Sequence, residues 1–331
     1  MILSNGCNRV TNSDMNTVDI LHRLVEEELE LSDQIEALRS LTLDRVDLPL
    51  LVEAIHLFRE QMIPVDIDQN SVDMAGTGGD RSGTFNISTT SAIVASAAEV
   101  PIAKHGNVSI SSKSGGVDLL RALNIDLPET AGAAQKTFQD HNCVFLFAQK
   151  FHPIFAKFIP ARRALAAHGV ITIFNILGPL LNPASVRRQI CGVFQPNLVE
   201  LMAHALLETS TKRGLVVYGN GLDEFSISGE NKVAEIHDGK IDFYTKSPKD
   251  LGFKTCDIEE LKGGLPDENA TITNQILSGE ITGPKKDIVA LNAGAAIYLG
   301  SDDLSFKEAI NKANEAIESG AALLKLESLS S

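Results

Sequence analysis

The chain has 331 residues and no tryptophan, room for about two domains of ordinary size. With 44% apolar residues it can bury a packed core, which excludes global disorder. The formal charge is −14, and residues 1–70 hold five Arg, no Lys and fourteen Asp and Glu, a surface that repels nucleic acid and anionic membranes.

Residues 1–68 are predicted to form a small helical domain. Leu21, Leu24, Val25 and Leu29 make one apolar stripe, and Leu51, Ile55, Phe58 and Met62 make a second, with Glu53, Arg59 and Glu60 off it. The plain use of such a unit is packing or dimerisation, joined in space by part of 160–185. A break over 64–70 separates it from a second domain, 69–331. There, short β-rich runs alternate with Ala-rich helical runs, the pattern of an α/β domain whose central sheet is flanked by helices. Strands are expected at 72–74, 143–148, 187–194, 214–218 and 225–227, and helices at 91–99, 287–299 and 304–319. Segments 233–236 and 240–244, joined by His237-Asp238-Gly239, read as a hairpin with an Asp-Gly turn. Cys7, Cys143, Cys191 and Cys256 are scattered without a CxxC pair, as expected of reduced thiols. No signal-peptide pattern opens the chain and no apolar run reaches membrane-spanning length, so a cytoplasmic protein is expected.

Three segments carry chemistry. Gly76-Thr77-Gly78-Gly79-Asp80 follows the strand at 72–74, and its glycines let backbone N–H groups approach an anion. Asn86-Ile87-Ser88-Thr89 then precedes a helix, whose N-terminus attracts phosphate and whose cap Ser or Thr can supply. In the next segment, Lys104-His105-Gly106-Asn107 leads through Ser109, Ser111, Ser112, Lys113 and Ser114 to Gly115 and Gly116. The first lysine of this acidic chain is Lys104, so an anion cradle accounts for the loop better than a solvated Ser/Gly turn. The third feature, Asp223-Glu224, pairs carboxylates beside a strand, a donor set suited to Mg²⁺ shared with phosphate oxygens.

Together GTGGD, TFNIST, KHGN…SSKSG, the 145–153 segment, FNILGPLLNP at 174–183, Asp223-Glu224 and the 261–296 run resemble the anthranilate phosphoribosyltransferase family. The resemblance spans about residues 45–325. It implies a helical domain that forms a homodimer contact, a large α/β domain, and an active site in the cleft between them. It also implies phosphoribosyl pyrophosphate (PRPP) and anthranilate as substrates, Mg²⁺ as cofactor, and a place in tryptophan biosynthesis. Carried over by position, the PRPP site comprises Gly76, Gly79, Asp80, Thr84, Asn86, Ile87, Ser88 and Thr89. It continues through Lys104, His105, Gly106, Asn107, Ser109, Ser111, Ser112 and Gly116. The metal residues fall on Ser88, Asp223 and Glu224, and the anthranilate contacts on Gly76, Asn107 and Arg162, with Pro179 near the acceptor. His105, Asn107 and Arg162 are the implied catalytic set.

The chemistry agrees with this assignment. Displacing pyrophosphate from a ribose C1 passes through an oxocarbenium-like state, so the main demand is electrostatic: neutralise the leaving group's charge. An aryl amine is already a neutral nucleophile and needs no strong base. Four departures from the family pattern touch the acceptor side: Val108 replaces an Arg, Ile171 replaces another, Gly116 replaces a Ser, and two extra residues stretch the segment after Arg162. Arg163 therefore competes with Arg162 for the acceptor carboxylate. Transfer to, or phosphorolysis of, another aromatic or nucleobase-like acceptor stays open. A non-catalytic nucleic-acid-binding relative would need a basic stripe, against the charge of −14.

Overall fold

The computed structural model describes residues 16–108 and 114–330. Three helices open it. Asn16 caps α1 (Thr17–Glu26) by accepting the Asp19 N–H at 2.9 Å. Helix α2 (Leu31–Ser40) follows. Asp47 caps α3 (Leu48–Glu60) by accepting the Leu50 N–H at 3.0 Å, with Pro49 in the first turn, where no N–H is missed. The two apolar stripes are buried at Leu21, Leu24, Val25, Leu51, Ile55 and Phe58, while Leu29 and Met62 lie past the helix ends.

The large part carries the alternating elements. In chain order they are β1 (Val72–Gly76), α4 (Ile87–Ala97), β2 (Ile102–Gly106), α5 (Gly116–Ala122), α6 (Ala131–His141) and β3 (Cys143–Phe147). Next come α7 (Ala148–Phe151), α8 (Phe155–Ala166), β4 (Arg188–Gly192), α9 (Leu198–Glu208), β5 (Arg213–Gly219), β6 (Asn231–His237) and β7 (Lys240–Lys246). Helices α10 (Pro266–Leu277), α11 (Pro284–Gly300), α12 (Phe306–Glu318) and α13 (Ala321–Leu329) complete it. One seven-stranded sheet runs β3-β2-β1-β4-β5-β6-β7. Strands β3 to β5 in that order are parallel, and β6 and β7 are antiparallel. The chain winds from β1 outward to β3 and then returns to the other side of β1. That reversal makes the C-terminal ends of β1, β2 and β4 a topological switch point, where ligands of open α/β sheets sit.

Alternating strand residues serve the two faces. Leu215 and Val217 pack with α4, α11 and α12, whereas Val216 packs with α9 and the N-terminal helices. The helical part is completed by residues from later in the chain. Phe58 of α3, fully buried, stacks on Phe155 at 4.9 Å and meets Phe158 and Phe174 edge-on at 6.2 and 5.4 Å. Main-chain bonds add to this: Leu43 N–H donates to the Ile171 carbonyl and Ile173 N–H to the Leu41 carbonyl. A chain segment between the two extra residues and the FNILGPL run is thereby pinned to the turn that follows α2.

Two expectations need correction. No strand forms at 225–227; Phe225 is held there by the Asn292 amide of α11, which receives its N–H at 3.1 Å and donates to its carbonyl at 2.9 Å. A buried side chain satisfies this backbone in place of a ladder. Helix α4 starts at Ile87 rather than 91, so Ser88 and Thr89 form its first turn instead of preceding it. Its N-cap Asn86 makes no side-chain cap bond, because that amide is used elsewhere. The hairpin turn is as expected: Asp238 and Gly239 both take left-handed conformations, φ 49° and 73°, matching the twist of β6 and β7. Cys143, Cys191 and Cys256 carry free thiols, and Cys7 lies outside the described residues. Among the described residues no helix is long and apolar enough to cross a membrane.

Candidate active site

The loops that follow β1, β2, β4 and β5 meet at the switch point. After β1, Gly78 and Gly79 take φ of 67° and 83°, a conformation that turns the backbone toward Asp223. Gly78 N–H donates to Asp223 Oδ2 at 2.7 Å. Asp223 also lies over the ends of β1 and β4 so closely that a Cβ at Gly76 or Gly192 would overlap it. Ser88 N–H, in the first turn of α4, donates to Glu224 Oε1 at 3.3 Å. Ser88, Asp223 and Glu224 are therefore brought together.

Both carboxyls are partly withdrawn from water. Burial, with Asp80 nearby, lifts Asp223 to about 7, and burial beside Asp223 lifts Glu224 well above its usual range. Glu224 Oε2 is buried and has no partner among the described residues. An orphaned carboxylate oxygen beside a second acid is a cation's place, which fits a hard divalent ion. No group of three or more His, Cys, Asp or Glu forms a closed metal cage among the described residues. Two carboxylates without a cage suit Mg²⁺, which keeps positions for phosphate oxygens and water.

Lys104 is the nearby counter-charge. It is buried on β2 with Nζ donating to the Met74 carbonyl, and burial pulls its ammonium down against the opposing pull of Asp73, Glu224 and Asp223. Asp73, fully buried on β1, is lifted to about 6 by that burial and accepts the His105 N–H at 3.0 Å. Asn107 is exposed at the end of β2, where its Oδ1 accepts the Val108 N–H at 2.8 Å. Asp80 turns the first loop by accepting the Ser82 N–H, and Thr84 Oγ1 lies 3.2 Å from Ser82 Oγ. Ile87 points its side chain into the core and donates its N–H to Phe85. Thr89 is buried, and a Cβ at Gly116 would stand 3.0 Å from its Oγ1, a contact that the Gly at this position avoids. Ser109, Ser111 and Ser112 lie outside the described residues.

The residues expected on the acceptor side sit on an aromatic chain that starts at β2. His105 Nδ1 lies 3.1 Å from the Gly178 carbonyl, and His152 Nε2 lies 2.7 Å from the Leu181 carbonyl. A carbonyl only accepts, so both of these nitrogens carry the proton and the other ring nitrogens present lone pairs. Those two, His105 Nε2 and His152 Nδ1, are buried with no partner among the described residues. Burial holds both rings neutral, with His105 lowered to about 3 and His152 to about 4. From His105 the ring centroids run 5.2 Å to His152, 5.6 Å on to Phe155 and 5.7 Å on to Phe174. Arg162 of α8 closes the chain, its guanidinium 5.4 Å from the Phe174 ring centre. It is half-buried without a carboxylate partner among the described residues, whereas Arg163 is exposed. Pro179 is buried in the turn that receives the His105 proton. Sequence reasoning assigned no role to His152; its only local signal is the Phe-His-Pro triplet at 151–153.

A family model described as glycosyl transferase family, α/β domain, matches residues 68–323. The chain is 47% identical over 258 residues to anthranilate phosphoribosyltransferase of Haloarcula marismortui, covering 78% of this chain and 77% of that protein. It is 44% identical over 275 residues to the Petrotoga mobilis enzyme of the same name, covering 82% and 79%. Among solved structures, that of anthranilate phosphoribosyltransferase from Thermus thermophilus superposes with a TM-score of 0.85 at 38% identity, over 95% of this chain and 93% of that one. The Saccharomyces cerevisiae enzyme in complex with PRPP and Mg gives 0.83 at 30% identity, over 94% and 89%.

Proposed function

The chain belongs to the anthranilate phosphoribosyltransferase family, and from that premise we propose that it moves the phosphoribosyl group of PRPP to the amine of anthranilate with release of pyrophosphate. The observation that carries the donor half is the orphaned Glu224 carboxylate oxygen beside Asp223, at the end of a glycine-rich turn. Ser88, Asp223 and Glu224 would hold Mg²⁺. When bound, that ion neutralises charge on the departing pyrophosphate. The exposed Gly78 and Gly79 and the loop from Lys104 to Gly116 hold the phosphates, while Asp80, Thr84, Asn86 and Thr89 shape the pocket around them. The C1–oxygen bond to pyrophosphate breaks, the amine nitrogen forms the new C1 bond, and the amine's proton passes to the departing pyrophosphate or to water.

On the acceptor side Arg162 supplies the charge that an aminobenzoate carboxylate needs, and its planar fork matches that group. Neutral His105 and His152 stand behind the acceptor position and hold the turn that carries Pro179 through the Gly178 and Leu181 carbonyls. Asn107 is exposed at the end of β2, the strand that carries His105. The acceptor site lies where the helical part and the sheet meet, the helical part also forms a homodimer contact, and the protein works in the cytoplasm. Light scattering tests the dimer. The reaction is tested by following pyrophosphate release from PRPP with anthranilate, nucleobases or inorganic phosphate as partner. Release with anthranilate alone is expected; release with a nucleobase but not anthranilate would overturn the acceptor assignment.

A further inference from the structure

We propose that Asn269 and Lys262 are positioning residues that clamp the phosphoribosyl-donor loop, residues 80–86, an inference that rests on the donor reading above. The run between β7 and α10 lies against that loop as a short antiparallel ribbon. Thr84 pairs with Lys262, Phe85 N–H donates to the Leu261 carbonyl at 3.2 Å, and Gly263 N–H donates to the Gly83 carbonyl at 3.0 Å. Lys262 Nζ adds a charged tie to the Ser82 carbonyl at 2.6 Å. The run is itself braced by Lys285 of α11, which donates to the Glu260 and Lys262 carbonyls at 2.6 and 2.8 Å. Gly263 permits this approach, since a Cβ there would stand 2.5 Å from Phe85 Cα.

Asn269 makes the second tie. It is 1% exposed at the start of α10. Gly264 N–H can only donate, so the atom facing it at 2.8 Å is Asn269 Oδ1, and the amide nitrogen must face Asn86 Oδ1, at 2.9 Å. The same logic passes to Asn86, whose Nδ2 donates to the Ser114 carbonyl at 3.0 Å and whose Oδ1 also receives Ser114 Oγ at 3.0 Å. One buried amide thus fixes the amide at the N-terminus of α4 and, through it, the return of the Lys104–Gly116 loop. Asn86 and, through it, Ser114 hang on it, whereas Arg162, His105 and His152 make no contact with Asn269 among the described hydrogen bonds.

Steady-state kinetics and PRPP calorimetry on the full-length chain test the clamp, using Asn269→Ala and Lys262→Met. Losing a buried hydrogen-bond partner is expected to raise the PRPP KM and Kd roughly 10- to 100-fold in Asn269→Ala and roughly 3- to 10-fold in Lys262→Met, with the anthranilate KM within about threefold of wild type. Asn269→Asp keeps the acceptor for Gly264 but sets a second carboxylate oxygen against Asn86 Oδ1, two acceptors face to face, so its PRPP constants should rise at least as much as those of Asn269→Ala. Unchanged PRPP constants, or equal shifts for both substrates, would overturn the clamp and leave Asn269 a purely structural residue. If Asn269→Ala does not fold, Lys262→Met decides on the same criterion. Absence of wild-type turnover refutes the functional reading instead, and PRPP affinity then still decides the clamp.

Discussion

Arg162→Ala probes the acceptor site where the sequence left two candidates. Arg162 is half-buried against the Phe174 ring, 5.4 Å from its centre, with no carboxylate partner among the described residues, so burial pulls its pKa down without an anion to offset it. A charge-assisted pair formed there with the acceptor's carboxylate contributes roughly 1.5–3 kcal/mol, or about 10- to 150-fold in affinity. That carboxylate is remote from the bond being made, so the loss is expected in the anthranilate KM, with kcat and the PRPP KM nearly unchanged. Truncation also removes a cation–π contact of about 0.5–1 kcal/mol, which lowers the melting temperature by only about 1 °C in a chain of this size. Arg162→Lys keeps the charge and loses the planar fork, and should lie between. Arg163 points about 100° away around α8 and is exposed, so Arg163→Ala should be nearly neutral. Initial rates over an anthranilate series at saturating PRPP settle the matter. An anthranilate KM within about threefold of wild type in Arg162→Ala, or a larger effect from Arg163→Ala, would refute the assignment.

Asp223→Asn with Glu224→Gln removes both acids while keeping their volumes; Mg²⁺-dependent turnover is expected to vanish, and activity within about threefold of wild type at the same Mg²⁺ would contradict the metal assignment. Gly79→Val has space, its nearest neighbour being Phe194 at 4.0 Å, but at φ 83° a β-branched residue is badly strained. PRPP binding by calorimetry should be lost, and wild-type affinity in the folded variant would show that this turn does not carry the phosphates. His152 titrates near 4 when folded and near 6.5 when unfolded, so the unfolded chain takes up its proton first as the pH falls. Its contribution to stability is complete above about pH 6.5 and is lost by about 1.4 kcal/mol per pH unit between there and pH 4. His152→Phe should therefore lose less stability than wild type between pH 6.5 and 5.5 in urea titrations; equal losses would mean that the ring is not held neutral.

The donor half of the site was legible because its elements are contiguous. Glycines at 76–79, the lysine at 104 and the Asp223-Glu224 pair each declare their chemistry within a few residues, and the fold only has to bring the ends of β1, β2 and β5 together. The acceptor half is assembled across distance. His152 matters through its place between His105 and Phe155, and Arg162 is told from Arg163 by burial under Phe174, neither of which a local pattern encodes. The start of α4 was set four residues late because Asn86-Ile87-Ser88-Thr89 has the composition of a cap, yet Asn86 spends its amide on Ser114 and Asn269. Apolar composition suggested a strand at 225–227, but its backbone is satisfied by Asn292, sixty-seven residues away. The roles of Lys262 and Asn269 were likewise hidden: the run that holds them was visible as a motif, and only its antiparallel contact with residues 83–85 shows what it braces.

The central claim, transfer of phosphoribose from PRPP to anthranilate, is tested most directly by the loss of anthranilate fluorescence when the purified chain is mixed with limiting anthranilate, excess PRPP and Mg²⁺. Complete decay is expected, with one pyrophosphate released per anthranilate consumed and no decay when PRPP or Mg²⁺ is omitted. Stable anthranilate fluorescence in the presence of folded protein that binds PRPP would contradict it.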